Sequence, residues 1–168
     1  GIDEKGRYLG NTGGQHMFDH FHTYWLALFE NGSISADEYK RASFAQYYRT
    51  IDEFCAPFKD PKSAVRKAGL TLKSCQSKLT KCPYEAAFLA DGGVGGKMSN
   101  LDYANSLIPT MRSWSETVFR TALEGRVEDE IDQIVDLFYD AYRDEVATNP
   151  SGHAMDYIHI VLDIEKAI

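Results

Sequence analysis

Tyr157-Ile158-His159-Ile160-Val161-Leu162-Asp163-Ile164 places Ile158, Ile160, Leu162 and Ile164 on one side at a period of two. That is the pattern of a strand with a buried face. The long segments before it read differently. From Val127 to Val146, the residues Ile131, Ile134, Val135, Phe138, Tyr142 and Val146 form one apolar stripe at helical spacing. Asn149-Pro150-Ser151-Gly152 ends it. A second helical pattern runs from Leu101 to Leu123, with Gly125 as its stop; Pro109 inside it predicts a kink or a division in two. His16 to Glu30 is a third, carrying Met17, Phe21, Tyr24, Trp25 and Leu28 on one face and closed by Asn31-Gly32. Leu70 to Leu79 offers a second strand, with imperfect alternation. The fold class is therefore α+β, mainly helical with two strands. A lone two-stranded ribbon is marginal in water, and an uncovered apolar edge invites association. These strands read as parts of a larger sheet.

Shorter signals fill the gaps. Ser35-Ala36-Asp37-Glu38 and Thr50-Ile51-Asp52-Glu53 are capping boxes, in which side chain and backbone satisfy each other's exposed amides. Asp60-Pro61 reads as the N-cap and first residue of a helix closing at Gly69. Asp91 to Asn100 is a loop with four glycines, and no internal repeat is evident.

Composition narrows the function classes. With 168 residues, 43% hydrophobic and 12% aromatic, the chain can bury one ordinary core, which makes 1–168 a single compact unit by expectation. The net charge of −7, from 25 acidic and 18 basic residues, opposes phosphate backbones, so no nucleic-acid partner is expected. No apolar run approaches the roughly 18 residues of a membrane span, and no secretory segment opens the chain. A soluble, cytoplasmic protein is expected. Cys55, Cys75 and Cys82 make an odd count without close pairing and read as reduced thiols. The chain opens Gly1-Ile2-Asp3-Glu4-Lys5-Gly6, with five glycines in its first fourteen residues, and this start reads as a loop leaving something that precedes it.

Chemical motifs are weak. His16 and His20 stand one helical turn apart, a spacing that lets two imidazoles share a metal, but His22 falls on another face and no glutamate completes a ligand pattern. No metal site is expected. Gly92-Gly93-Val94-Gly95-Gly96-Lys97 lacks the first glycine of a phosphate loop, where Asp91 stands, and Met98 replaces the hydroxyl residue after the lysine. Cys75 and Cys82 are too far apart for a paired-cysteine zinc motif, and no Gly-x-Ser-x-Gly elbow occurs. Asp129 and Glu130 read as a solvated helix end. Aromatic and methionine side chains near turns and helix ends stand out instead: Met17, Phe18, Tyr47, Met111, Trp114 and Tyr157. Together they could line an apolar pocket for a flat small molecule.

Taken in order, the segments resemble the C-terminal half of the salicylate/benzoate/jasmonate carboxyl methyltransferases, the SABATH family, particularly its bacterial relatives. Gly13-Gly14 precedes a helix with an aromatic end, then Phe29-Glu30-Asn31-Gly32-Ser33-Ile34. Ser43-Phe44-Ala45-Gln46-Tyr47 is similar to the family's Asn-Ile-Pro-Gln-Tyr, and Ala68-Gly69-Leu70 opens a strand where the family has one. Thr110-Met111-Arg112-Ser113-Trp114 resembles Cys-Met-Arg-Ala-Val, and Asp156-Tyr157-Ile158-His159 resembles the closing Lys-Phe-Ile-Asn. The likeness spans nearly the whole chain and rests on order and spacing.

The resemblance implies a Rossmann-like methyltransferase sheet under a helical cap, with the strands near 70–79 and 157–164 as its last two. It implies S-adenosylmethionine bound by an N-terminal part that this chain lacks, and a small-molecule carboxylic acid as substrate. Met17, Phe18, Tyr47, Met111, Trp114 and Tyr157 fall on the substrate pocket; no catalytic, cofactor-binding or metal residue is carried over. Phe18 stands for the family's tryptophan and Trp114 for its valine, so the usual acids do not transfer automatically. A carboxylate is already ionised, so such a site needs orientation and exclusion of water rather than a general base. The chain alone is expected to be inactive, and its exposed sheet edges admit a homodimer. The competing expectation is a free-standing helical module that binds a small apolar ligand or a partner protein.

Overall fold

A computed structural model describes residues 1–10 and 17–167. The chain is mixed α+β, and its backbone groups into two compact units: a ribbon unit from residues 1–10, 46–82 and 155–167, and a helical unit from residues 17–45 and 83–154. In order the elements are α1 (Met17–Glu30), α2 (Ala36–Arg41), α3 (Ile51–Lys59), α4 (Ala64–Lys67), β1 (Leu70–Thr80), α5 (Pro83–Ala90), α6 (Asn100–Ala122), α7 (Glu128–Thr148) and β2 (Tyr157–Lys166). Among the described residues no helix is long and apolar enough to cross a membrane.

In the helical unit α6 and α7 pack along each other across the short connection at residues 123–127. Their stripes meet in a ring-filled core, where Phe119 and Phe138 lie 4.2 Å apart, centroid to centroid. Phe21 and Trp25 of α1 close over that pair. Helix α6 starts from a capping box of Ser99 and Asp102 and continues through Pro109, so the expected division in two does not occur. The proline removes one amide, whose helical acceptor would be the carbonyl of Asn105. Both residues are exposed, so water reaches that carbonyl, while buried Ala104, Leu107, Ile108 and Met111 hold the helix on its inner side. Helix α5, which the sequence reading did not assign, stacks Phe88 on Tyr103 at 4.7 Å.

Both expected capping boxes form, at Ser35 and at Thr50. Glu38 does more than cap. Its carboxylate accepts from Nε and Nη2 of Arg126, which also donates to the Ser33 carbonyl, tying the α1–α2 turn to the α6–α7 connection.

The ribbon unit corrects one boundary. Helix α3 continues from its Thr50 cap to Lys59, so Asp60 ends that helix instead of starting the next. The Asp60 carboxylate takes the Lys62 amide, and Ser63 caps the four-residue α4. Gly69 closes α4 as expected, with φ +79. Strands β1 and β2 pair antiparallel from Leu70↔Lys166 to Thr80↔Tyr157. The imperfect alternation of β1 is a bulge between Leu72 and Ser74, which returns Cys75, Ser77 and Leu79 to the face of Leu72. On β2 the apolar face is graded: Ile158 is buried, Ile160 and Leu162 are half-buried, and Ile164 is exposed. Among the described residues the sheet has these two strands, which leaves one edge of each without a partner strand there. The Gly1 ammonium donates to the Ile158 carbonyl at 3.0 Å.

The ribbon closes on Asp156. Its buried carboxylate accepts from the Cys82 amide at 2.7 Å and from Lys81 Nζ at 2.9 Å, joining the points where the chain leaves the ribbon and returns to it.

Two outcomes follow from these polar ties. Asp156→Ala leaves the buried Cys82 amide without its acceptor, and urea unfolding is expected to register a loss of about 2–3 kcal/mol; Asp156→Asn, which keeps an acceptor, should recover part of it. Arg126 holds the Glu38 carboxyl down at about 2. A lowered carboxyl stabilises the folded state above the ordinary value and loses that contribution as pH falls, here from about 4.5 towards 2. Glu38→Gln should remove this part of the acid sensitivity and cost about 2 kcal/mol at neutral pH, read by denaturation at pH 7 and pH 3.

Candidate functional site

A cavity of about 260 Å³ opens in the helical unit, beside the ring core. Its walls come from three places in the chain. Helix α1 supplies Phe18, Phe21, His22 and Trp25; α2 supplies Tyr39 and Lys40; the extended segment after α2 supplies Phe44. Phe119 of α6 forms the floor side shared with the core.

Each wall is held by local rules. The period of α1 turns Phe21 and Trp25 fully inward and leaves Phe18 half-buried at the edge of the same face. The indole of Trp25 donates to the Tyr39 carbonyl at 3.3 Å, which fixes the end of α2 over α1. Helix α2 stops at Ala42, and the chain then runs without regular structure. Phe44 turns in from that run, with its ring 5.2 Å from Phe18, 5.5 Å from Phe21 and 5.6 Å from Phe119. Phe29 stacks on Tyr39 at 5.2 Å.

The lining also carries His22, Lys40 and Ser43, all three exposed, and the phenol of Tyr39; among the described residues Lys40 is its one lysine or arginine, and the rest of the wall is mainly aromatic. A volume near the lower end of ligand pockets, roughly 300 Å³ and upward, suits a single ring. Ring edges and faces at these separations hold a planar ligand, and an ammonium at the rim attracts an anionic substituent in a chain of net charge −7.

The six expected pocket residues divide. Phe18 lines the cavity, and Trp114 stands behind the wall, 6.3 Å from Phe18, 6.0 Å from Phe21 and 6.2 Å from Phe44. Met17 and Met111 are buried in the helical core and do not line the cavity. Tyr47 and Tyr157 belong to the ribbon unit. Tyr47 is 73% exposed and its hydroxyl donates to Glu53; Tyr157 stacks on His159 at the start of β2. The sequence reading gave Phe21 and Trp25 to the apolar face of α1 and did not assign Tyr39, Lys40, Phe44 or Phe119 to the pocket. Phe44 had a signal, being an aromatic residue in a stretch without period; Lys40 had none.

The other motifs take definite places. His16 lies outside the described residues, as do Gly13 and Gly14, while His20 turns inward and His22 faces the cavity mouth. Among the described residues no three His, Cys, Asp or Glu side chains gather as metal ligands. The glycine-rich loop folds on itself: the Asp91 carboxylate accepts the Met98 amide and the Asp91 carbonyl accepts that of Lys97. A Cβ on Gly96 would meet the Asp91 carbonyl oxygen at 2.4 Å, so the loop closes around an anion of its own instead of presenting amides to a phosphate. All three cysteines are free thiols. Burial, with the Cys55 thiol beside it, pushes Cys75 up to about 11, opposite to the direction a nucleophilic thiol requires.

No protein-family model matches the chain, and no curated protein matches it.

Proposed function

We propose that this chain is the substrate-recognising, C-terminal part of an S-adenosylmethionine-dependent methyltransferase that acts on the carboxylate of a small aromatic acid. The aromatic cavity with Lys40 at its rim carries the reading. Phe18, Phe21, Phe44 and Phe119 would hold the ring of the acid, and Lys40 would anchor its carboxylate. Water is excluded by the same rings. The direct pairing of β1 with β2 also supports the reading, since two neighbouring closing strands of a larger sheet would pair in this way.

The cofactor is a separate matter. The described residues offer no strand, glycine turn and helix in sequence to cradle a nucleoside, and the loop at 91–98 is closed on Asp91. S-adenosylmethionine would belong to a preceding part of the parent protein, in a Rossmann-like sheet that β1 and β2 complete. The work of these residues is then binding, orientation and exclusion of water, of which orientation alone is worth roughly 7–11 kcal/mol in a well-built site. A second reading keeps the same cavity but makes the chain a free-standing ligand-binding module. The helical unit's own ring core favours it, because that unit has what it needs to be stable.

Calorimetry with benzoate as the probe tests the site. A dissociation constant on the order of 0.1–1 mM is expected, weakened at least tenfold in Phe44→Ala and about three- to tenfold in Lys40→Gln. Equal affinity for benzoate and neutral benzamide would sink the assignment of Lys40. Supplied with S-adenosylmethionine and benzoate, the 168-residue chain is expected to form no methyl ester detectable by mass spectrometry. Product from the chain alone would refute the division of labour, and a native protein of 18.9 kDa would turn the assignment to the free-standing module.

A further inference from the structure

Two histidines meet inside the helical unit. His20 of α1 and His153, which follows α7, bring their ring centroids to 4.4 Å with planes tilted by 41°. Both are more than nine-tenths buried, at 8% and 2% exposure. Tyr142 stacks on His20 at 5.4 Å and lies 5.7 Å from His153. Nε2 of His20 and both ring nitrogens of His153 have no hydrogen-bond partner among the described residues. Sequence spacing would pair His20 with His16; the fold pairs it with a residue from the far end of the chain.

Such a pair is tolerable only while neutral. A neutral imidazole without partners forgoes hydrogen bonds, whereas an imidazolium in the same place forgoes its hydration as well. Two charged rings at this separation would also repel. Once the segment at 149–154 lifts away, water solvates either ring and the cost disappears. We infer that His20 and His153 form an acid-operated latch, holding residues 149–154 against α1 when neutral and releasing them when protonated. The inference stands apart from the methyltransferase reading and uses none of the cavity residues.

The groups facing the pair set the order of events. Helix α1 contributes Asp19 and Tyr24, and α7 contributes Tyr142 and Glu145. From α6, the Tyr103 hydroxyl donates to the His153 carbonyl and ties down the same segment. Burial lowers His20, with Glu145 and Asp19 acting against it. Burial and the neighbouring His20 hold His153 down at about 4. The two carboxylates therefore favour a proton on His20, while burial and His20 disfavour one on His153. A base whose closed-state value lies below its ordinary 6.5 binds its proton in the open state, so the closed form loses ground as pH falls from 6.5 towards 4. One proton per opening raises the opening constant up to about tenfold per pH unit, and two raise it up to about a hundredfold.

Amide hydrogen exchange on the 168-residue chain at pH 7, 6 and 5, corrected for the intrinsic pH dependence of exchange, reads this directly. Peptides covering 149–154 should show an opening constant that climbs at least fivefold per unit between pH 6 and 5, while peptides in the middle of α6 should not. In His153→Phe, which keeps a ring but cannot take a proton, the climb should shrink by up to about tenfold per unit. Exchange at 149–154 that ignores pH, or an unchanged climb in the variant, would overturn the latch. If the variant does not fold, an NMR titration of the two imidazoles in the unaltered chain decides instead. Rings that stay neutral below pH 5.5 support the latch, and a ring titrating at 6.5 or above refutes it.

Discussion

Pairing β1 with β2 obliges the chain to bring Thr80 beside Tyr157 across everything between Lys81 and Asp156. Closing so long a loop costs entropy that grows only slowly with its length, but the contact is distant in sequence and forms late unless the intervening chain is already compact. Here it is: α5, α6 and α7 make up most of the helical unit and bury their own rings. Asp156 then acts at the neck of the loop, where one buried carboxylate serves both the outgoing and the returning strand. A strand pair that would be marginal alone gains from having its ends delivered together.

Much of this fold was legible, and the failures have physical causes. The stripes of α1, α6 and α7 could be read because their cores are largely their own periodicity, expressed at three- and four-residue steps. Ser35 and Thr50 were legible as caps, since a capping box is a purely local device. Asp60-Pro61 misled because the same dipeptide serves a helix end and a helix start, and the run from Thr50 decided between them. The bulge at Leu72/Ser74 hid in an alternation that looked merely poor. Pro109 does not divide α6, whose inner side is held by packing. Little of the cavity was legible: Phe18 lines it and Trp114 packs against Phe18, but Lys40 reaches the site only because α2 folds back over α1. Nothing local could have paired His20 with His153.

Aromatic crowding serves two purposes in the helical unit. Phe21 and Phe119 belong both to the core and to the cavity wall, so the site is rigid for the same reason that the unit is stable. Phe44 is the exception. It reaches the rings from a segment without helix or strand, held among the described residues by its ring contacts. A wall built this way can yield at one residue while the rest stays fixed, and that residue sits in the stretch Ser43–Tyr47 that first drew the family likeness.

The placement of the indoles has an optical consequence. Both tryptophans, Trp25 and Trp114, lie in the helical unit, within one cluster of phenylalanine rings, and the ribbon unit contains neither. Emission excited at the red edge of the absorption band therefore reports on one unit and is blind to the other. Far-ultraviolet dichroism weighs both. An unfolding curve followed by indole light and one followed by backbone dichroism would coincide only if the two units melt together, so the chain carries in its own chromophores the means to ask whether it is one cooperative body or two.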